Sequence, residues 1–541
     1  MSLQTNAAAL TFDEIREALG AQTGPQNGEI CGVVTDSREL RAGNLFVPLV
    51  GAKFDGHDFL ESAKQLGAHT LSSRENSPHA DFFVPDTLVA LGDLARFHRR
   101  KFEIPVVGIT GSYGKTTTRA LTFAALGAGF STLTSQGNFN NEIGVPMTLF
   151  QLDDSHEAAV LEMGMRGLGQ IEYLAKIAAP TIGIVTNIGP QHIELLGTEE
   201  NIARAKSEII ENLPANGLAV LPADSPFIEF LISKAPGAYV LFGHSPRAHF
   251  RVQNVRTDEV GNVKFEICVN ANPSSASESS ISASESSISA SKSSISATKS
   301  STSATESSIS ATESSTFASE SSISASTSSE FESISAESAE TNRDSAQEKS
   351  RNTFEISLPM PGAHNALNAA AAFAAAYCLE IRPEAIVAAL SRAQIPGARM
   401  RVFKTATGAT VIDDCYNAGP DSTRAALQTL LDFPGSGRKI AVLGEMRELG
   451  EFSEIKHREI GELAALVCDH VVGVGGQTRP LLNQLLETAR QNEREVGVHW
   501  CEDAASAREI VQNFGENGDV ILVKGSRGVA LEVVVAALEN K

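Results

Sequence analysis

The sequence predicts an α/β protein of three domains, and three observations carry that prediction. Short β-rich runs alternate with helical stretches through two long blocks, a pattern that gives mainly parallel sheets wrapped by helices. The pattern changes at Pro105 and again near Arg399, which divides the chain into residues 1–100, 101–398 and 399–541. A length of 541 residues also suits three domains, at roughly 100–200 residues each.

In the first block, Thr11-Phe-Asp-Glu14 is a capping-box pattern that opens a short helix. Strands are expected near Cys31–Val34 and Leu45–Leu49. The central block begins with a strand at Val106–Thr110, a Gly-rich turn and a helix over Lys115–Leu126. Further strands are expected at Ala158–Met163, Ile182–Thr186 and Leu218–Leu221, with a helix at Asn201–Glu211. The last block reads as Rossmann-like, with strands at Thr410–Asp413, Lys439–Leu443, His470–Val474 and Val520–Val523. Helices at Ser422–Leu431 and Glu454–Val467 separate them.

Residues 274–349 break the pattern. They repeat Ser-Ser-Ile-Ser-Ala-Ser-Glu, with Ile281, Ile288, Ile295, Ile309 and Ile323 at one heptad position. A coiled coil needs two apolar positions per heptad, and serine is a poor helix former. The segment therefore reads as a disordered insertion. Its flanks, Val263–Val269 and Phe354–Leu358, alternate like strands and are expected to be the arms of one hairpin.

The net charge of −21 argues against nucleic acid or an anionic membrane as partner, although a local basic pocket for a small anion fits. The insertion carries −7 of that charge, so the rest of the chain is acidic too. Six scattered cysteines without a CxxC pair point to reduced thiols rather than a disulfide framework or zinc site. No secretory leader is expected, and the most apolar run, Ala369–Leu379, falls far short of the ~20 residues that span a bilayer.

The strongest chemical signal is Gly108-Ile-Thr-Gly111-Ser112-Tyr-Gly114-Lys115-Thr116-Thr117, between a strand and a helix. Main-chain amides of such a turn wrap phosphate oxygens, the lysine neutralises β/γ-phosphate charge, and the Thr116 hydroxyl suits Mg²⁺. The match is a variant, because Ile109 stands where the phosphate-loop pattern has glycine. Glu162 ends one strand and His192 follows another, where the strands of an open sheet end and ligands bind, and they read either as metal donors or as surface residues. Lys206 reads as a ligand of the same site or as a solvated helix lysine. The Asn-dense loop with Asn138, Asn140, Asn141 and Glu142 suits a polar ligand or simple turns. Asn365 and Asn368 share one helical face and could read a base edge or cap the helix. Asp414-Cys-Tyr416-Asn417 and Lys524-Gly-Ser526-Arg527 each leave a strand in the last block.

Together these motifs resemble the Mur ligases of peptidoglycan synthesis. That family's order is G-x-x-G-K-T/S, a Glu, N-x-x-x-x-H, a helix Lys, H-N-x-x-N, an Arg and D-x-Y-N. Gly111–Thr116, Glu162, Asn187–His192, Lys206, His364–Asn368, Arg399 and Asp414–Asn417 supply it in sequence. Thr35–Arg38, Phe54–Phe59, Pro420–Ser422 and Gly444–Gly450 resemble the member that adds D-alanyl-D-alanine to UDP-N-acetylmuramoyl-tripeptide.

The resemblance implies an N-terminal domain for the UDP-substrate, a central phosphate-loop ATPase domain and a C-terminal Rossmann-like domain. It implies an ATP-dependent ligase working through an acyl-phosphate, cytoplasmic and monomeric. Gly111, Ser112, Gly114, Lys115, Thr116, Thr117, Asn365, Asn368, Arg399 and Asp414 would hold ATP. Thr116, Glu162, His192 and an N-carboxylated Lys206 would hold Mg²⁺, in all two ions; Lys115, His192 and Lys206 would be catalytic. Ser37, Arg38, His57, Asn138, Asn141, Tyr416, Asn417, Lys524 and Ser526 would bind substrate. Another amino-acid-adding ligase of the family, a folylpolyglutamate synthase-like enzyme, and a nucleotide-dependent scaffold are the competing readings.

Overall fold

The computed structural model describes residues 6, 8–20, 24–270 and 352–540. The Ser-rich segment 274–349 and the disorder read for it lie outside these residues. Residues 24–270 and 354–540 belong to one compact unit. The unit is built on three parallel or mainly parallel sheets, preceded by a small antiparallel pair.

That pair is β1 (Ala9–Thr11) with β2 (Glu29–Cys31). Between them runs the helix Phe12–Leu19, whose capping box is present: Glu14 N–H donates to Thr11 Oγ1 and Thr11 N–H to Glu14 Oε2. The single strand expected over Cys31–Val34 is in fact two. Gly32 takes φ +95°, where a Cβ would meet Asn6 O at 2.5 Å, and there the chain passes to a second sheet. This sheet orders β3 (Val33–Val34), β4 (Leu45–Phe46), β5 (His69–Ser72) and β6 (Phe82–Phe83), all parallel.

The central sheet contains β7 (Val106–Thr110), β8 (Thr132–Thr134), β9 (Ala158–Glu162), β10 (Ile182–Val185), β11 (Leu218–Pro222), β12 (Ala238–Gly243), β13 (Phe250–Thr257), β14 (Val263–Val269) and β15 (Thr353–Leu358). Its order is β15-β14-β13-β12-β11-β10-β7-β9-β8. The expected hairpin arms are therefore sheet neighbours, and Val263 N–H donates to Met360 O at 3.0 Å, joining the start of β14 to the end of β15.

From β7 the chain moves first to one side, to β8 and β9, and then to the other, to β10. The carboxyl ends of β7, β9 and β10 thus border the switch point of an open parallel sheet, where loops diverge and leave a crevice. The Ala-rich helix His364–Cys378 packs on helix Lys115–Leu126 beside this crevice. Its small side chains are almost all buried, which lets the helices approach closely.

The C-terminal sheet orders β16 (Arg401–Lys404), β17 (Thr410–Asp413), β21 (Val520–Lys524), β18 (Lys439–Gly444), β19 (His470–Val474) and β20 (Gly497–Cys501). Only β16 runs antiparallel to its neighbour. Helices Pro420–Asp432 and Ser453–Val467 occupy the positions read from sequence within two residues at each end. None of the six cysteines is joined in a disulfide. Among the described residues no helix is long and apolar enough to cross a membrane.

Candidate active site

The loop after β7 is shaped by two glycines. Gly111 has φ +149°, and a Cβ there would lie 1.8 Å from Thr186 Oγ1. Gly114 has φ +78°, with a would-be Cβ 2.6 Å from Asn368 Oδ1. Side chains are excluded at both places, so the main chain runs close to its neighbours. Tyr113 N–H donates to Asn187 Oδ1 at 3.0 Å, and Tyr113 O accepts from Asn187 Nδ2 (2.9 Å) and Thr186 Oγ1 (2.7 Å). Ser112 Oγ donates to Gly189 O at 2.9 Å. The segment after β10 therefore fixes the loop.

Gly114 gives helix Lys115–Leu126 no side-chain cap. A helix start of this kind, with free amides and the positive end of the dipole, is suited to an anion. Lys115 Nζ donates to Gly111 O (2.7 Å) and Ser112 O (3.1 Å), so its charge lies against the loop itself. Burial lowers the Lys115 pKa, opposed by Glu162 and reinforced by Arg399.

Glu162 ends β9 beside Ile109 in register. Its Oε2 accepts from Thr116 Oγ1 at 2.8 Å and its Oε1 from Asn140 Nδ2 at 2.8 Å. Arg119 Nε lies 3.8 Å from Oε2, and both side chains are buried. Arg119 was not singled out from sequence, although its i+3 spacing from Thr116 places it on the same helical face. Helix residue Asn368 accepts from Thr118 Oγ1 (3.2 Å) and donates to Asn365 Oδ1 (3.0 Å); Asn365 in turn donates to Pro361 O (2.7 Å). Both asparagines face the cleft within a fixed network, rather than capping the helix.

His192 follows β10 in left-handed backbone, φ +64°. Its Nδ1 lies 2.6 Å from Glu448 Oε2, across from the C-terminal sheet. Burial, helped by Lys115, brings the His192 pKa down to about 4, with Glu448 opposing. Lys206, in helix Glu199–Glu211, is 1% exposed, so it is not a solvated helix lysine. Desolvation, then Lys115, lowers its pKa far below that of an ordinary lysine, favouring the neutral amine.

The C-terminal sheet closes the cleft from the other side. Lys524 Nζ donates to Asp414 Oδ2 at 2.6 Å and to Asn417 O at 2.9 Å. Burial raises the Asp414 pKa, against the pull of Lys524. The Arg399 guanidinium stacks 3.9 Å over the Tyr416 ring. Asp421 sits over Gly189 beside Tyr113, and burial raises its pKa, as does nearby Glu199.

One cleft of about 920 Å³ unites these groups. It is lined by Ser112, Gly114, Lys115, Thr116, Thr117, Asn138 and Asn141, by Glu162 and His192, and by Asn365 and Asn368. Arg399, Asp414, Tyr416, Asn417 and Lys524 complete it from the C-terminal part. Gly111 and Lys206 are not among the lining residues. Ser526 is buried, bonding Ala418 O and Arg447 N–H.

Ser37, Arg38 and His57 are not brought to the cleft. Arg38 is exposed and forks onto Asp36. His57 is buried, with Nδ1 2.6 Å from Asp55 Oδ1 and Nε2 accepting from Ser73 N–H at 3.0 Å. Both ring nitrogens are spent on holding its own domain together.

Among the described residues, no group of three or more His, Cys, Asp or Glu side chains could hold a metal ion. The donors at the cleft are of another kind: a hydroxyl, Thr116, in contact with a carboxylate, Glu162, close to Lys115. A hydroxyl and a carboxylate are oxygen donors of the type Mg²⁺ takes when phosphate supplies the rest, so these residues fit the ion.

A phosphate loop at a sheet switch point, closed by a second Rossmann-like sheet, defines a nucleotide-handling α/β enzyme with its site between domains. The chain belongs to the Mur ligase family. Residues 29–96 match the description "Mur ligase family, catalytic domain", 109–287 match "Mur ligase middle domain", and 398–527 match "Mur ligase, glutamate ligase domain". The chain is 32% identical to the UDP-N-acetylmuramoyl-tripeptide–D-alanyl-D-alanine ligase of Bacillus subtilis, over 94% of this chain and 93% of that one. The Escherichia coli protein of the same name is 30% identical, over 98% and 99%. Among solved structures, MurF of Acinetobacter baumannii superposes with a TM-score of 0.76 at 27% identity over all of both chains. MurF ligase of Thermotoga maritima in complex with ADP gives 0.71 at 26% identity, over 94% and 96%.

Proposed function

We propose that this chain joins D-alanyl-D-alanine to UDP-N-acetylmuramoyl-tripeptide, at the expense of ATP, in the cytoplasm and as a monomer. The observation that carries the reading is the single cleft in which Lys115, Glu162, His192 and Asn368 face Arg399, Asp414 and Lys524. Full-length similarity to ligases of that name supplies the substrates. Residues 1–100 would hold the UDP-substrate, 101–398 the ATP, and 399–541 would close over both.

A carboxylate is a poor electrophile and needs activation. The terminal carboxylate oxygen of the tripeptide attacks the γ-phosphorus of ATP, the bond to the bridging oxygen breaks, and ADP leaves an acyl-phosphate. The dipeptide amine then attacks the acyl carbon, loses a proton, and phosphate departs with the C–O bond electrons. Both steps depend mainly on positioning and charge neutralisation. Lys115 and the loop amides grip the triphosphate; Asn365, Asn368, Arg399 and Asp414 orient the nucleotide. Asn138, Asn141, Tyr416, Asn417 and Lys524 line the side from which tripeptide and dipeptide enter. Thr116, Glu162, His192 and Lys206 would hold Mg²⁺, which when bound supplies charge neutralisation at the phosphates. The buried, neutral Lys206 amine suits addition to CO₂: the new N–C bond and loss of one proton turn it into an anionic carbamate.

The test is mass spectrometry of the products from UDP-N-acetylmuramoyl-tripeptide, D-alanyl-D-alanine and ATP–Mg²⁺. A product heavier by the dipeptide less water is expected, with one phosphate released per bond. Transfer of a single amino acid instead would assign the chain to another member of the family. Absence of any substrate-stimulated phosphate release would favour the nucleotide-dependent scaffold.

A further inference from the structure

Non-glycine residues seldom adopt left-handed backbone, and where they do the strain often marks a functional contact. Two such residues meet here. His192 (φ +64°), on the loop after β10, and Glu448 (φ +64°), on the loop after β18, bring Nδ1 and Oε2 within 2.6 Å. The His192 side chain is 16% exposed and that of Glu448 41%. The second Glu448 oxygen, Oε1, lies 3.9 Å from Arg166 Nη2, on the loop after β9. Directly behind it, Gly450 (φ +52°) packs so tightly on the next short helix, Ile193–Leu196, that a Cβ would stand 3.0 Å from Glu194 Cγ. Glu448 does not line the cleft, whereas His192 does.

We propose that Glu448 is a positioning residue for the ligase reaction: carried on the C-terminal sheet, it fixes the ring orientation and tautomer of His192, so that the imidazole is set for work only when that sheet is seated against the central one. A carboxylate this close to Nδ1 favours the proton there and leaves Nε2 of this cleft-lining residue as the acceptor. Carboxylates behind histidine rings do this at many metal and catalytic sites, where their loss costs ~10–100-fold. Here the carboxylate comes from a different domain than the histidine, so the same contact couples domain seating to site assembly. The inference rests on the cleft reading above for the role of His192, but not for the geometry of the pair.

The experiment uses the full chain with ¹⁵N-histidine labelling, His192 being assigned by the signals lost in His192→Gln. In the nucleotide-free protein the His192 ring is expected as the Nδ1–H tautomer, and Glu448→Ala is expected to shift it toward a tautomer mixture. Glu448→Gln, which keeps an acceptor oxygen, should restore most of the Nδ1–H form. In the ligase assay Glu448→Ala should lower kcat by about 10–100-fold with the KM for ATP changed less than about three-fold, and Glu448→Gln should recover at least half of the loss on a logarithmic scale. An unchanged His192 tautomer in Glu448→Ala would overturn the proposal whatever the activity. A tautomer shift together with no ligation by the wild-type chain would sink the ligase reading while leaving the positioning contact intact.

Discussion

Thr116 Oγ1 donates a 2.8 Å hydrogen bond to Glu162 Oε2, so the first turn of the phosphate-loop helix is tied to the end of β9. Arg119 stands behind the same oxygen at 3.8 Å, and the two charged side chains are 3% and 4% exposed. Glu162 is thus both a cleft carboxylate and half of a buried ion pair. Removing one partner of such a pair costs about 3–5 kcal/mol, because the other charge stays buried without compensation. Glu162→Ala should lower the thermal midpoint by several degrees as well as abolish phosphate release. Glu162→Gln keeps an oxygen for Thr116 and should destabilise less while still losing about 100-fold in turnover. Melting curves and phosphate-release assays on the two variants check this; an Ala variant as stable as the wild type would contradict it.

Among the described residues, Lys115 hydrogen-bonds to main-chain oxygens of its own loop, Gly111 O and Ser112 O, and makes no ion pair within 4 Å. Its burial already disfavours the charged form. Lys115→Ala should therefore leave the melting midpoint unchanged or slightly raised, while ATP turnover falls by about 10²–10³-fold or more. Retained turnover would count against the phosphate-loop reading.

Lys206 is buried, and Ile202, Ile209 and Ile210, at i−4, i+3 and i+4 on the same helical face, are buried too. Lys206→Ala should be inactive without unfolding, since it removes a buried amine rather than a paired charge. If the carbamate forms, millimolar short-chain carboxylates should restore part of the phosphate release by supplying the missing anionic oxygens. No rescue at any carboxylate concentration would remove the carbamate from the mechanism.

The elements that build this site were legible from sequence for a physical reason. β7, β9 and β10 are short, mainly apolar runs bounded by Gly or polar turns, the mark of strands buried on both faces. The solvated alternative for Lys206 overlooked its spacing, i+4 from Ile202 and i−4 from Ile210, which puts it on the apolar face of its helix. The first domain was less legible because its strands are two to four residues long and Gly32 moves the chain between sheets. β8, β12 and β13 went unread as well; β13 carries a register shift between Gln253 and Arg256 that interrupts its alternation. The His192–Glu448 contact has no local signature, because it exists only once the two sheets are docked.

His364 offers a pH test. Burial, and to a lesser extent Lys524, brings its pKa down to about 4 from an ordinary 6.5. The folded protein then keeps this ring neutral while the unfolded chain binds a proton below ~6.5. Its contribution is complete above that pH and is lost as pH falls from 6.5 toward 4, with a slope of up to about 1.4 kcal/mol per pH unit. His364→Asn should flatten the fall of the thermal midpoint over this window. Part of the fall should persist, since burial also lowers the pKa values of His98, His249 and His457. Superimposable curves for variant and wild type would show that His364 plays no part.

Residues 274–349 lie in sequence between β14 and β15, which are neighbours in the central sheet. Those strands are held by more than their connection. Val263 N–H donates to Met360 O, and Arg256 on β13 reaches across to Glu355 on β15 at 2.6 Å. Ile267 and Ile356 are both fully buried in the shared core. Loop-closure free energy changes by only ~0.6 kcal/mol per doubling of length, so a tenfold shortening is worth about 2 kcal/mol, in the stabilising direction. Replacing residues 274–349 by a short Gly-Ser turn should therefore leave the fold intact, raise the melting midpoint slightly, and keep kcat within a few-fold. The measurement is a ligase assay alongside thermal melting of the shortened chain. A folded but inactive product would mean that the segment takes part in the reaction.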